Sequence, residues 1–278
     1  MRDDVIMISP GAYNFAEYLY QILECDYTYI REPVDRETVI LFGMFMSNGN
    51  PMRPAFRAKK RIAVWIGTDV MHLESYLKGH QGEQKEFNKH LDVKLATSTG
   101  LAAELESLGV KMDGVVETPP RYVFEPMPLP EKFSVGIYAP VKRETHYYTD
   151  LCFEVARAMP DVNFYVYGRN REIGQIDKNI FDLGHINLKR EIPNISAIMR
   201  FTIHDGTGLG PVEYMQAGRR AVTNLGLPHA YNCDPDLDQI VANLREIQKE
   251  KEPDKEASDY WRERINHERY KKEMYRWL

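Results

Sequence analysis

The sequence predicts an α/β protein of two domains, each a parallel sheet covered by helices. Short apolar runs, each closed by a turn and followed by an amphipathic stretch, recur along the chain. The same alternation restarts after a Pro-rich segment, TPPRYVFEPMPLP, which carries five prolines between Thr118 and Pro130. The length of 278 residues exceeds the ~100–200 typical of one domain.

In the first half, Val5 to Ser9 reads as a buried strand and Pro10-Gly11 as its turn. Asn14 to Leu23 reads as a helix with Phe15, Leu19, Ile22 and Leu23 on one face. Val39 to Phe42 and Ile62 to Ile66 read as strands released by Gly43 and Gly67. Val93 to Thr97 is a further strand, after which Ser98 caps a helix to Leu108 with Gly109 at its end. Beyond the prolines come a strand from Ser134 to Tyr138, a helix from Thr149 to Ala158, and strands at Asn163 to Tyr167 and Ile180 to Leu183. A helix from Asn194 to Met199, a strand from Phe201 to His204, a helix from Pro211 to Ala217, a strand from Ala221 to Thr223 and a helix from Leu237 to Gln248 complete the second half. The expected organisation is a domain over 1–122, a linker over 123–132, a domain over 133–256 and a C-terminal helix over 257–278. That helix carries one aromatic stripe, with two placements open: an edge helix on the second domain, or a helix returning to the first.

Composition narrows the function. Residues 1–125 hold 14 basic and 18 acidic side chains and the rest 22 and 23, so neither half has the cationic surplus of a tight phosphate-backbone binder. Cys25, Cys152 and Cys233 are widely spaced and odd in number, which argues against a disulfide framework or zinc ribbon and for a reducing, cytoplasmic setting. The N-terminus reaches strand-like residues at once, without a signal-peptide apolar stretch, and no window approaches the ~18 apolar residues of a membrane span. The histidines show no close zinc spacing, so no metal site is expected.

The most informative segment is RFTIHDGTGLGPVEYMQAGRRAVTN, residues 200–224. A strand ending at His204 leads into a loop with Gly206, Gly208 and Gly210, and then into a helix started near Pro211. Such a loop turns backbone N–H groups and a helix N-terminus toward a phosphate or a polar sugar. Asp205 lies eight positions before Glu213, which is expected in the first helical turn, so two carboxylates are offered to one ligand.

These residues resemble the GT-B glycosyltransferases, in particular the family 4-like group, whose donor domain carries Glu-x7-Glu followed by small residues, a Gly and a strand. The fold this implies is two Rossmann-like domains facing a cleft. The implied activity is metal-independent transfer of a sugar from a nucleoside diphosphate sugar, a UDP- or GDP-sugar, to a hydroxyl acceptor, with retention. No other cofactor is implied. By the resemblance Glu213 grips the donor ribose, and Asp205, standing where the family has Glu, faces the donor sugar as a catalytic group. His204, Gly206, Gly208 and Gly210 line the donor. Lys142 and Arg143, after the strand FSVGIYAP, neutralise the diphosphate, and Gly168 lies near the base. In the first half RIAVWIGTDV resembles the Gly-x-Asp turn of many relatives and makes Asp69 the acceptor-side catalytic group, although an Asp after Gly-Thr also serves as a helix cap. Gly11 allows a phosphate or acceptor to approach closely. The acceptor class stays open among glycan, small molecule, lipid and modified DNA. A non-catalytic nucleotide-sugar binder and a nucleotide-sugar epimerase are the alternatives.

Other signals have plainer readings. Asp234, Asp236 and Asp238 lead into an amphipathic stretch and lack a calcium loop's glycine and terminal Glu. GTGLG is not a dinucleotide fingerprint, and no Walker lysine is present. MRPAFRAKKR is the only concentrated basic run, with Arg53, Arg57, Lys59, Lys60 and Arg61. Its plain reading is a solvated face; an anionic lipid surface, a phosphorylated acceptor or modified DNA are the sharper ones.

Overall fold

The computed structural model describes residues 2–9, 12–29, 32–45, 52–80, 84–169 and 174–278. Contacts divide the chain into two compact units. Unit 1 comprises Met1–Arg121, Asp205–Thr207 and Ile265–Leu278; unit 2 comprises Tyr122–His204 and Gly208–Arg264.

Unit 1 is built, among the described residues, on β1 (Arg2–Ile8), β2 (Cys25–Thr28), β3 (Thr38–Phe42), β4 (Lys60–Trp65), β5 (Val93–Ala96) and β6 (Gly114–Val115). They form one sheet in the order β2-β1-β3-β4-β5-β6, with every pair parallel. A parallel strand covered on both faces reads as an unbroken apolar run, and TVILF of β3 is buried at all its positions. Helices α1 (Tyr13–Leu23) and α10 (His267–Met274) cover one face, where Leu19, Leu23, Tyr270 and Met274 join Met7, Ile40 and Ile62. Helices α2 (Thr68–Gly79), α3 (Gln84–His90) and α4 (Thr99–Ser107) cover the other, with Val70, Leu73, Phe87, Leu101 and Leu105 on Leu41, Ala63 and Trp65. Each such fully buried aliphatic side chain contributes about 1.5–3 kcal/mol. Ser98 caps α4 by accepting the Leu101 N–H at 3.2 Å, and Gly109 follows at φ +82°. Strand β2 was not expected, because CDYT is short and half polar; it forms where Glu24, in the left-handed region, turns α1 straight back along β1.

The C-terminal stretch is two helices rather than one over 257–278. Helix α9 (Lys255–Arg264) belongs to unit 2 and α10 to unit 1. Asn266 starts α10 by accepting the Arg269 N–H at 2.9 Å. Within unit 1, His267 Nε2 donates to Pro120 O at 2.9 Å and the Tyr275 hydroxyl donates to Leu23 O at 3.2 Å.

Unit 2 holds β7 (Ser134–Tyr138), β8 (Asn163–Tyr167), β9 (Gly174–Asp177), β10 (Ile180–Asp182), β11 (Ala197–Arg200), β12 (Arg220–Thr223) and β13 (Tyr231–Asn232). Their order is β13-β12-β11-β7-β8-β10-β9, parallel except for the β9–β10 hairpin. Val155 and Ala156 of α5 (Thr149–Ala158) and Ile240 and Leu244 of α8 (Leu237–Ile247) pack on Val135, Ile137, Phe164, Val166, Met199 and Val222. Asp236 caps α8 by accepting the Gln239 N–H at 3.0 Å, which is the structural use of the Asp-rich run.

One expectation is displaced. The helix expected over 194–199 and the strand over 201–204 are replaced by helix α6 (Leu188–Glu191), a 3-10 turn at Ile192–Asn194 and then β11. A short run such as Ser-Ala-Ile-Met fits either period. Its place between β7 and β12, with Ala197 opposite Val135 and Arg220, makes it a central strand. The Pro-rich segment is held on unit 2 by Arg219, fully buried, whose guanidinium donates to Met127 O at 2.7 Å and Pro128 O at 2.8 Å.

Candidate functional site

In unit 2 the chain leaves β7 toward β8 on one side and later returns to β11 on the other. The sheet order therefore reverses at β7, and the carboxyl ends of β7 and β11 flank that reversal, the usual ligand position in such sheets. Tyr138 and Arg200 are the last residues of these two strands.

Arg200 is the centre of a side-chain cluster. Its guanidinium lies over the ring of Tyr138 at 5.1 Å and over that of Tyr147 at 5.0 Å. The Arg143 guanidinium lies 6.0 Å from the same Tyr147 ring. Helix α7 (Leu209–Gln216) starts beside them: a Cβ placed on Gly210 would stand 3.5 Å from Arg200 Nη1. Gly208 precedes the helix at φ +67°, and a Cβ there would come within 2.6 Å of Leu225 Cδ1, so the turn admits glycine alone without strain. His146 Nε2 donates to the His204 carbonyl at 2.9 Å, and the Thr202 hydroxyl donates to the same oxygen at 2.9 Å. These bonds tie the 3-10 turn Thr145–Tyr147 to the chain leaving β11.

Glu213 is 8% exposed, and burial pushes its carboxyl up to about 8 against the opposing pull of Arg200. It sits in the second turn of α7, not the first, because the helix begins at Leu209. Burial also pushes the phenols of Tyr167 and Tyr214 up, which keeps them neutral around the acid. At neutral pH the site thus presents cationic guanidinium groups beside a protonated carboxyl.

The other expected residues are placed as follows. Lys142 and Arg143 lie exposed in the turn after β7. Gly168 turns at φ +91°, where a Cβ would strike Tyr138, and its N–H donates to Gly184 O at 2.9 Å. Asp205 and Gly206 group with unit 1. The Asp205 carboxylate accepts the Gly206 N–H at 2.8 Å, and a Cβ on Gly206 would collide with Ile66 O. Thr207 donates to Thr97 O at 2.9 Å. Gly11 lies outside the described residues.

Asp69, expected as the acceptor-side catalytic group or as a helix cap, stands in a structural place. It is 0% exposed, and its carboxylate accepts the N–H groups of Met44 at 2.8 Å, Gly67 at 2.8 Å and Ile66 at 3.1 Å, joining the ends of β3 and β4. Burial pushes its carboxyl above the ordinary value against those donors. The basic run is also largely paired: Arg53 with Glu32 at 2.7 Å, Lys59 with Glu37 at 2.8 Å and Arg61 with Asp92 at 2.9 Å, as a solvated face would be. No helix among the described residues is long and apolar enough to cross a membrane.

Sequence reasoning missed Arg200 and Tyr138. The signal was an Arg closing an apolar run, but with the strand placed four residues late Arg200 fell before it rather than at its carboxyl end.

No family model and no curated protein matches the chain. Solved structures do. Sucrose-phosphate synthase from Thermosynechococcus elongatus is 11% identical with a TM-score of 0.75, over 99% of this chain and 98% of that one. Anabaena HepE in complex with UDP-glucose is 11% identical with a TM-score of 0.72, over 98% of each. A TarM structure is 12% identical with a TM-score of 0.64, over 86% of this chain but 54% of that one, so the chain spans about half the length of that structure. These are GT-B glycosyltransferase structures, and the chain has the GT-B fold.

Proposed function

We propose that the protein is a glycosyltransferase that takes a sugar from a nucleoside diphosphate sugar, bound on unit 2, to a hydroxyl acceptor. The observation that carries this reading is Glu213, buried beside Arg200 where the sheet order reverses. No hydrogen-bond donor is among the influences on its buried carboxyl, which is costly, and a ligand hydroxyl is a fitting partner. In its neutral form Glu213 offers one O–H and one carbonyl oxygen, the complementary pair that a ribose diol meets. HepE with UDP-glucose shares the fold, which supports a nucleotide-sugar donor. Lys142 and Arg143 supply charge to the departing diphosphate in place of a metal, and Asp205 and Glu213 are the acidic pair of the sequence. The acidic pair resembles that of retaining enzymes, so the product keeps the donor's anomeric configuration; an inverted first product in an NMR time course refutes this part.

Calorimetry with UDP, GDP, ADP and dTDP, without added metal, tests the donor site. One diphosphate binds selectively, and Glu213→Ala weakens it by about 2–4 kcal/mol, as for loss of a buried polar contact. Full affinity in that variant rejects the assignment. Consumption of donor only when an acceptor is supplied separates transfer from epimerisation and from binding alone.

A further inference from the structure

We infer that Arg200 is a binding residue for the diphosphate of the donor, acting from the sheet floor with Arg143 at the rim. The inference deepens the donor reading above and rests on it. Arg200 ends β11 at the reversal of strand order, where an anion enters such a sheet. Two aromatic faces, Tyr138 and Tyr147, hold its guanidinium, so little side-chain freedom is lost when it meets a ligand. Its Nη1 stands at the first turn of α7, with only a glycine between, and the N–H groups of that turn add donors for the same anion.

A second observation is independent of the helix. Arg143 and Arg200 converge on one ring, Tyr147, at 6.0 and 5.0 Å. An anion that meets both guanidinium groups gains a charge-assisted contact from each. Arg143 comes from the turn after β7, so donor charge would be gripped by two different strand ends. Burial keeps Glu213, the nearest acid on α7, protonated, so it does not compete with the phosphates for Arg200.

The test compares wild type, Arg200→Met and Arg200→Lys by calorimetry at pH 7, with urea midpoints showing that each is folded. The probes are the tightest-binding of UDP, GDP and ADP, its parent nucleoside, and inorganic pyrophosphate. Arg200→Met binds the diphosphate about 10- to 100-fold more weakly and the nucleoside within twofold of wild type; Arg200→Lys recovers part of the loss. A folded Arg200→Met with diphosphate affinity within threefold of wild type overturns the inference and leaves the donor reading standing. Equal losses for nucleoside and diphosphate overturn it too, because Arg200 then only shapes the site. If the wild type binds pyrophosphate through Arg200 but no nucleotide, the donor reading fails and the anion site survives. If it binds neither, both fail.

Discussion

Replacing Glu213 with Gln makes the protein more stable, and by an amount that grows with pH. The carboxyl moves from an ordinary 4.5 to about 8 in the folded chain because burial disfavours its charge more than Arg200 favours it. Between these two values the unfolded chain has lost the proton and the folded chain still holds it. The folded state binds more protons there, so stability falls as pH rises, and the loss is complete above pH 8. Linkage gives a penalty of about 1 kcal/mol at pH 5, about 3 at pH 7 and about 5 at pH 9. The amide of the Glu213→Gln variant has nearly the same shape and never ionises, so the variant escapes the penalty and all other titrations cancel in the difference. Urea unfolding of both proteins at pH 5, 7 and 9, without nucleotide, reads the difference directly. Curves that run parallel from pH 5 to pH 9 would refute the reasoning: Glu213 would then be ionised throughout and paired with Arg200.

Three further outcomes follow from the geometry. Asp69→Ala leaves the N–H groups of Met44, Ile66 and Gly67 without their acceptor and lowers unfolding free energy by about 3–5 kcal/mol in urea, whereas Asp69→Asn, keeping one acceptor oxygen, loses less; unchanged stability with lost turnover would restore a catalytic Asp69. Gly206→Ala, whose Cβ would collide with Ile66 O, lowers the melting temperature markedly, while Gly210→Ala, which meets Arg200 Nη1 at 3.5 Å, shifts it little. Arg219→Met removes donors to Met127 O and Pro128 O and destabilises by about 2–4 kcal/mol, seen as a lower urea midpoint with the same slope.

Elements whose burial is decided locally were legible in the sequence. Ser134–Tyr138, Thr149–Ala158 and Asn163–Tyr167 match the expected spans, since each combines one clear period with a turn or cap at its ends. Elements decided by neighbours were not. Ala197–Arg200 is a strand because β7 and β12 flank it, and CDYT is a strand because β1 offers an open edge. At the site, Glu213 was legible from its spacing to Asp205 and from the glycines between them. Arg200 was not, because its meaning lies in Tyr138 and Tyr147, 62 and 53 positions earlier in the chain.

The two buried acids explain why residue type and a preceding turn did not separate structure from function. Asp69 and Glu213 both follow a Gly-bearing loop after a parallel strand, and burial pushes both carboxyls up. The difference is in what meets the oxygens. Backbone N–H groups from three residues close on Asp69, so its lone pairs are committed and the chain leaving β3 is tied to the chain leaving β4. Around Glu213 the opposing influences are burial and one guanidinium stacked on tyrosines, with no backbone donor among them. An acid satisfied by the backbone has nothing left for a ligand. An acid buried at an energetic cost gains most from one, since a hydroxyl partner relieves the burial that raised it. The same residue chemistry is therefore architectural in unit 1 and receptive in unit 2, and hydrogen-bond satisfaction is the property that tells them apart.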